Sequence, residues 1–281
     1  MKKLYTLLVT ALAAGLTLNT QAQGFKMPQA SSAQTIKQEF GLGEITVNYS
    51  RPNVKGRKVF GGLEPYGKVW RTGANSATVI TFTEEVNLEG NKVPAGEYAL
   101  FTIPDTKEWT IILNKTTKQW GAYEYKQADD FLRFKIKPGK TAQPVETFTI
   151  QFANVTPSTA DLHLMWERTD LDLHLSADND SRIMANIETA MNSEKKPYFA
   201  AAQYYYENGK DLNKALEWIN EAEKTNTKAP YFKLWKARIQ LKMGNKAAAA
   251  ATAQEGVSLA KEQKNDEYIK LNEAVLVQAK G

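Results

Sequence analysis

The chain changes its hydrophobic pattern once, near Ala177, and this change constrains its fold more than any other feature. Before it, from Gln34 to about Leu175, apolar and polar residues alternate in short runs rich in β-branched and aromatic side chains. Such alternation is typical of strands with one buried face. After it, apolar residues recur at helical spacing. The sequence therefore predicts a β domain followed by an all-α helical-repeat domain.

The predicted β domain covers residues 23–176, and no helical pattern separates its strands. Its alternating runs lie at residues 44–49, 77–82, 97–103, 109–113, 131–136, 148–152, 160–166 and 171–175. Glu89-Gly90-Asn91 predicts a tight hairpin, because this turn type needs residues that tolerate positive φ. Short strands joined by turns favour an antiparallel sandwich or barrel over a parallel sheet.

The second segment contains a repeat. Residues 177–194 are predicted to be a linker with a connecting helix, and residues 195–281 to form helical hairpins. Small residues recur at a spacing of 34: Ala215 with Ala249, and Ala222 with Gly256. This spacing resembles that of tetratricopeptide repeats, in which small residues let helices cross closely. The resemblance implies a concave face that could bind an envelope protein.

The N-terminus is typical of an export signal. Lys2 and Lys3 precede an apolar run over residues 4–18, which is shorter than the ~20 residues of a membrane span. Thr20 and Ala22 form a small-residue cleavage site. We therefore expect residues 1–22 to be a signal peptide and the mature protein to be periplasmic or secreted, with no membrane span after cleavage. The chain has no cysteine, so it is not a lipoprotein.

Composition and motifs exclude several function classes. The absence of cysteine removes thiol nucleophiles and Cys-ligated metal sites. The 36 basic residues only slightly exceed the 31 acidic ones and form no long basic cluster, so we expect no nucleic-acid partner. Phosphate-binding glycine loops, serine-hydrolase elbows and zinc-protease motifs are absent from the sequence.

His163 and His174 are the two histidines, and Asp161, Asp170 and Asp172 lie near them in the sequence. A hairpin could bring the two imidazoles together, with a carboxylate completing a metal site. A histidine on an amphipathic strand more often faces solvent or bonds a backbone carbonyl. We therefore expect no metal and no cofactor.

The segment Ser50–Asn75 is rich in cations and turn residues. It contains five Gly, two Pro, six Lys or Arg, and a single acid, Glu64. Long loops in compact domains are often functional. Arginine offers planar, bidentate donors to carboxylate or phosphate groups, and tryptophan offers a stacking face.

Several unusual motifs occur in order in this region and beyond it. They include Arg51-Pro52, Pro65-Tyr66-Gly67, Trp70-Arg71-Thr72-Gly73-Ala74-Asn75, Pro94-Ala95-Gly96 and Trp166-Glu167. Over roughly residues 29–175 the chain resembles the bacterial domain-of-unknown-function family 2911. The resemblance implies a secreted β domain, commonly followed by repeat-like helices, and it supplies no activity.

We interpret the chain first as a non-catalytic binding module for a small anionic or carbohydrate ligand. The predicted ligand-binding residues are Arg51, Arg57, Trp70, Arg71 and Asn75. Further aromatic residues could line the same cleft: Tyr66, Trp109, Trp120, Tyr123 and Tyr125. Alternatively, these rings fill the core and the arginines pair locally.

Two other functions remain open. The helical repeats could act as a protein-interaction scaffold, presenting the aromatic residues Tyr204, Tyr205, Tyr206, Trp218, Tyr231 and Trp235. A hydrolase could use Glu124, Asp129 or Asp130, but no pair of these carboxylates has a diagnostic spacing. We therefore expect no catalytic activity.

Overall fold

A computed structural model describes residues 27–281 of the chain. These residues divide between Asp178 and Asn179 into two units, a β domain and a helical unit. The predicted signal peptide, residues 1–22, lies outside the described residues. Within residues 27–281, every helix is too short or too polar to cross a bilayer.

The β domain consists of two antiparallel sheets. Its strands are β1 (Ser32–Phe40), β2 (Gly43–Arg51), β3 (Thr78–Phe82), β4 (Val86–Leu88), β5 (Asn91–Val93), β6 (Gly96–Ile103), β7 (Trp109–Asn114), β8 (Asp130–Ile136), β9 (Gly139–Ala153) and β10 (Thr159–Ser176). The larger sheet has the order β1-β2-β3-β6-β7-β8, and the smaller sheet has the order β5-β4-β10-β9. The predicted antiparallel β domain is confirmed, and it is open at the sheet edges rather than a closed barrel.

Aromatic side chains fill the space between the two sheets. Trp109 comes from the larger sheet, and Phe148 and Trp166 come from the smaller sheet. Phe60 and Trp70 come from the loop between β2 and β3 (residues 52–77), which we call the β2–β3 loop. Ring centroids lie 4.6 Å apart for Phe60 and Trp109, and 5.2 Å apart for Trp70 and Phe148. Such pairs each add ~0.5–1.5 kcal/mol beyond area burial, so the loop is held by the core.

The β2–β3 loop also extends the larger sheet. The backbone N–H of Trp70 donates to the Thr102 carbonyl at 2.7 Å, and the N–H of Thr102 donates back at 2.9 Å. Successive side chains of an extended backbone point to opposite faces. The Trp70 ring is buried between the sheets, whereas its neighbour Val69 packs with Phe101 and Ile112 in a separate cluster. Arg71 follows Val69 in the alternation and therefore lies on the outer face.

β10 folds back on itself near Glu167, whose φ is 55°. The backbone N–H of Ala177 donates to the carbonyl of Ser158 at 2.8 Å, which places the two ends of the element side by side. The predicted runs 160–166 and 171–175 are the two halves of this element. Their leucines are buried, and the intervening polar residues form an outer face.

The helical unit contains six α-helices among the described residues. They are α1 (Asp180–Met191), α2 (Tyr198–Glu207), α3 (Leu212–Thr225), α4 (Pro230–Lys242), α5 (Lys246–Glu262) and α6 (Asp266–Lys280). Consecutive helices from α2 onward pack against one another. Met184 and Ile187 of α1 pack against the cluster that contains Tyr205 and Trp218, so the predicted connecting helix belongs to the helical core.

Small residues let the last helices approach closely. Ala215, Ala222, Ala249 and Gly256 are all buried. Gly256 of α5 faces Asn272 of α6, which is fully buried and whose Nδ2 donates to the Tyr268 carbonyl at 2.8 Å. A Cβ at residue 256 would lie only 2.1 Å from Asn272 Oδ1.

We expect Gly256→Ala to destabilise the helical unit by roughly 1–3 kcal/mol. The steric conflict with Asn272 outweighs the gain of ~1 kcal/mol in helix propensity. The double variant Gly256→Ala/Asn272→Ala should recover part of the lost stability, because alanine at residue 272 lacks the amide group that the new methyl group at residue 256 would contact. Urea denaturation of the two single variants and the double variant measures this coupling. The predicted contact would be contradicted if the change in unfolding free energy of the double variant equalled the sum of the changes in the two single variants.

Candidate functional site

Arg51 joins the two sheets. Its Nε donates to the Phe148 carbonyl at 3.0 Å, and its Nη2 donates to Thr149 Oγ1 at 2.7 Å. Arg51 ends β2, whereas both acceptors belong to β9. The half-buried guanidinium therefore donates hydrogen bonds from the end of β2 to two acceptors of β9.

Arg57 is exposed and bonds within its own turn. Its Nε donates to the Val54 carbonyl at 2.9 Å, and its Nη2 donates to the Asn53 carbonyl at 2.6 Å. The turn passes through Lys55 and Gly56, whose φ angles are 49° and 69°. Carbonyl oxygens leave the positive charge of Arg57 unneutralised at the surface.

Trp70 and Asn75 hold the end of the β2–β3 loop. Trp70 is 3% exposed, and its Nε1 donates to the Gly73 carbonyl at 3.0 Å. Asn75 Nδ2 donates to the Ser31 carbonyl at 3.1 Å and lies 3.3 Å from Ser50 Oγ. The structure thus places the Trp70 ring in the core and the Asn75 amide against β-strand ends.

The backbone between Trp70 and Asn75 is unusual. Thr72 and Asn75 have φ angles of 52° and 60°, and Gly73 has a φ of 156°. A Cβ at residue 73 would lie 3.0 Å from both the Ser50 carbonyl and Thr78 Oγ1. Positive φ at non-glycine residues costs about 1–3 kcal/mol each and persists only where the surroundings impose it. This turn fixes the direction of the Arg71 side chain.

Arg71 is half-buried on the outer face of the larger sheet. Its Nε is enclosed and has no hydrogen-bond partner among the described residues. Gly121 lies beside it, since a Cβ there would be 3.4 Å from Arg71 Nη1 and 2.8 Å from the Tyr123 ring. The guanidinium and the Tyr123 ring therefore flank the same glycine.

Glu64 lies within electrostatic range of both Arg71 and Arg57. Burial raises the pKa of its carboxyl from 4.5 to about 7, although the two arginines act in the opposite direction. Close to neutral pH this group is therefore partly protonated, and it can donate as well as accept a hydrogen bond.

We call the following five residues of the loop region the Arg71 patch: Arg57, Glu64, Arg71, Trp120 and Tyr123. Trp120 and Tyr123 are 65% and 86% exposed. Of the five predicted site residues, Arg57 and Arg71 lie within electrostatic range of Glu64. The other three have the separate contacts described above.

Four further sequence candidates have structural contacts: Trp109, Tyr125, Asp129 and Asp130. Trp109 is buried in the core, and Tyr125 donates from its hydroxyl to Asp130 Oδ2 at 2.8 Å. Arg133 Nε lies 3.2 Å from the same oxygen, so Asp130 belongs to a small ion-pair network. Thr116 Oγ1 donates to Asp129 at 3.3 Å.

Comparison with known proteins gives one family. The family model described as a protein of unknown function (DUF2911) matches residues 31–175, from the residue before β1 to the penultimate residue of β10. No curated protein and no solved structure matches the chain.

We expect the folded chain to lose stability as the pH rises and the Glu64 carboxyl ionises. Its pKa is higher in the folded chain than the ordinary 4.5, so the folded state holds the proton more tightly between pH 4.5 and about 7. The free energy of unfolding should fall across this range relative to Glu64→Gln, which cannot ionise. Denaturant unfolding at pH 5 and pH 8 measures the difference. Glu97→Gln, at an exposed carboxylate of β6, is the control. The raised pKa would be contradicted if the unaltered chain and Glu64→Gln differed in free energy of unfolding by the same amount at pH 5 and pH 8.

Proposed function

We propose that this chain, which belongs to the DUF2911 family, is a non-catalytic binding module whose ligand contacts the Arg71 patch. The ligand is a small anionic group, either free or carried on a sugar. The observation that carries the proposal is the Arg71 guanidinium, which a strained turn holds on the outer face and whose Nε has no partner among the described residues.

The chemistry of the guanidinium favours an anion. Arginine presents planar donors that match two oxygens of a carboxylate or phosphate. Enclosure strengthens such a bond, because water competes less for the donors.

Glu64 is an incomplete counter-ion for the two arginines. Its pKa of about 7 leaves a large neutral fraction at neutral pH. In the neutral form it adds a donor to the patch and leaves the positive charge of Arg57 and Arg71 uncompensated. Binding of an anion should therefore weaken as Glu64 ionises.

The exposed rings favour a sugar as the carrier of the anionic group. Trp120 and Tyr123 flank Gly121 and expose most of their surface. Exposed apolar surface rimmed by polar residues is a feature of ligand-binding sites. A ring face beside a guanidinium fits a saccharide with a carboxylate or phosphate substituent.

We expect glucuronate to bind more tightly than inorganic phosphate, and glucose to bind most weakly, as measured by calorimetry or NMR titration. Arg71→Gln should reduce glucuronate affinity at least about tenfold, which corresponds to the loss of a charge-assisted hydrogen bond of ~1.5–3 kcal/mol. Affinity should fall as the pH rises through 7, and Glu64→Gln should remove this dependence.

The matched control is Lys68→Gln, which removes the same charge from an exposed position of the same loop. It should bind glucuronate like the unaltered chain. Unchanged affinity in Arg71→Gln, or the absence of binding by all three probes, would refute the proposal. Phosphate binding without any preference for the acidic sugar would assign the patch to free anions.

The alternative function, an interaction scaffold, is favoured only by the tetratricopeptide-like spacing of small residues. Its aromatic candidates take part in packing within the helical unit. Tyr205 and Trp218 are buried, with ring centroids 4.7 Å apart. Tyr206 and Trp235 contact each other edge to face at 5.7 Å. Tyr205 and Trp218 are therefore not available to a partner, whereas Tyr206 and Trp235 are half-buried.

We further propose that the chain is exported and acts in the periplasm or outside the cell. The support is the sequence of residues 1–22. Intact-mass analysis of the exported protein should give a chain that begins at Gln23. Recovery of the full-length mass from the periplasmic fraction would contradict cleavage at this position.

A further inference from the structure

The outer face of β10 brings both histidines together with three aspartates. The element alternates, so Leu162 and Leu173 are buried while His163, Asp172 and His174 point outward. Because β10 folds back, residues far apart in sequence become neighbours: His174 Nδ1 lies 2.9 Å from Asp161 Oδ1. The sequence favours solvent or a backbone carbonyl as the surroundings of each imidazole. His174 does face solvent, with 56% of its side chain exposed, whereas His163 is 17% exposed. The Nδ1 atoms of both rings lie against carboxylates.

His163 is oriented by Asp170. Its Nδ1 lies 3.0 Å from each Asp170 oxygen. A carboxylate only accepts hydrogen bonds, so Nδ1 carries the hydrogen and the neutral ring keeps its lone pair on Nε2. A carboxylate behind an imidazole is the arrangement that fixes the tautomer and ring position of metal-bound histidines.

The free Nε2 of His163 faces Asp172. The nitrogen lies 3.8 Å from Asp172 Oδ1, which is too long for a hydrogen bond. With the imidazole neutral, two groups with lone pairs face each other across this gap. Asp161 completes the set, since one ligand atom each of Asp161, His163 and Asp172 lies within 4.8 Å of the other two.

Asp161 is also held in place. Asn154 Nδ2 donates to its Oδ2 at 2.7 Å, and His174 Nδ1 contacts its Oδ1. The His163 and Asp161 side chains are each 17% exposed, whereas that of Asp172 is 57% exposed. The site therefore has two fixed ligands, a third that can rotate, and an opening to solvent.

We propose that Asp161, His163 and Asp172 bind a divalent transition-metal ion of the Zn²⁺ class. Asp170 and His174 are positioning residues for His163 and Asp161. The imidazole nitrogen selects against Ca²⁺ and Mg²⁺, which prefer all-oxygen ligands. Zn²⁺ binds such atoms at about 2.0–2.2 Å, so neighbouring ligands lie about 3.4 Å apart, which rotation of Asp172 can reach. Water would fill the remaining coordination.

The site shares no residue with the Arg71 patch. The failure of either proposal therefore leaves the other intact, and the two are tested with different probes.

The test is calorimetric titration of Zn²⁺ into the full chain after chelator treatment. We expect one equivalent to bind and the melting temperature to rise, because the ion binds only the folded chain. His163→Gln and Asp172→Asn should each weaken binding more than about tenfold, and Asp170→Asn by about 10–100-fold. With only two histidines in the chain, the imidazole NMR signals report the site directly.

Glu97→Gln removes an exposed carboxylate from the other sheet and should bind Zn²⁺ unchanged. Asp172 is exposed, so Asp172→Asn decides the question if His163→Gln does not fold. The proposal is overturned if Zn²⁺ does not bind, if both variants bind it like the unaltered chain, or if the His163 resonances do not shift. Displacement of Zn²⁺ by equimolar Ca²⁺ would overturn the assigned ion class.

Discussion

The β domain depends on the aromatic packing between its sheets. Trp109 from one sheet and Phe148 and Trp166 from the other leave a space that Phe60 and Trp70 of the β2–β3 loop fill. A loop that supplies core residues cannot move freely. Because Trp70 is fixed inward and is paired with Thr102 through the backbone, its neighbour Arg71 must face outward. The core thus determines the direction of the guanidinium on which the Arg71 patch is built.

Much of this fold could be predicted from alternation alone. The runs at residues 77–82 and 97–103 correspond to β3 and β6, and Glu89-Gly90 forms the hairpin turn between β4 and β5. β1 was not predicted as a separate strand, since only Phe40 among its residues is buried and its pattern is mostly polar. The first half of β9 is similarly exposed, and its sequence shows no alternation of apolar and polar residues that would predict a strand. Hydrophobic periodicity identifies strands that bury a face, and it misses edge segments held mainly by backbone bonds.

The candidate site was less predictable, because a side chain's partners are set by distant residues. Arg51 bonds Phe148, and Arg71 lies beside Gly121, contacts that follow from the sheet order rather than from local sequence. Glu64 stood out as the single acid among six cations, but its protonation depends on burial that the sequence does not encode locally. His163 and His174 show the opposite case. Their spacing in two alternating runs was enough to suggest a shared face, while the orientation of each ring required the structure.

The rings of Trp70 and Trp166 are nearly parallel, with centroids 5.7 Å apart and an interplanar angle of 20°. Indoles this close couple their electronic transitions, and the coupled pair is chiral because the protein fixes its geometry. One ring is in the β2–β3 loop and the other is in β10, so the optical activity of the pair requires both segments to be in place. This coupling exists only while the loop is inserted between the sheets. The chain therefore contains an intrinsic optical reporter of that insertion, separate from the solvent-exposed fluorescence of Trp120.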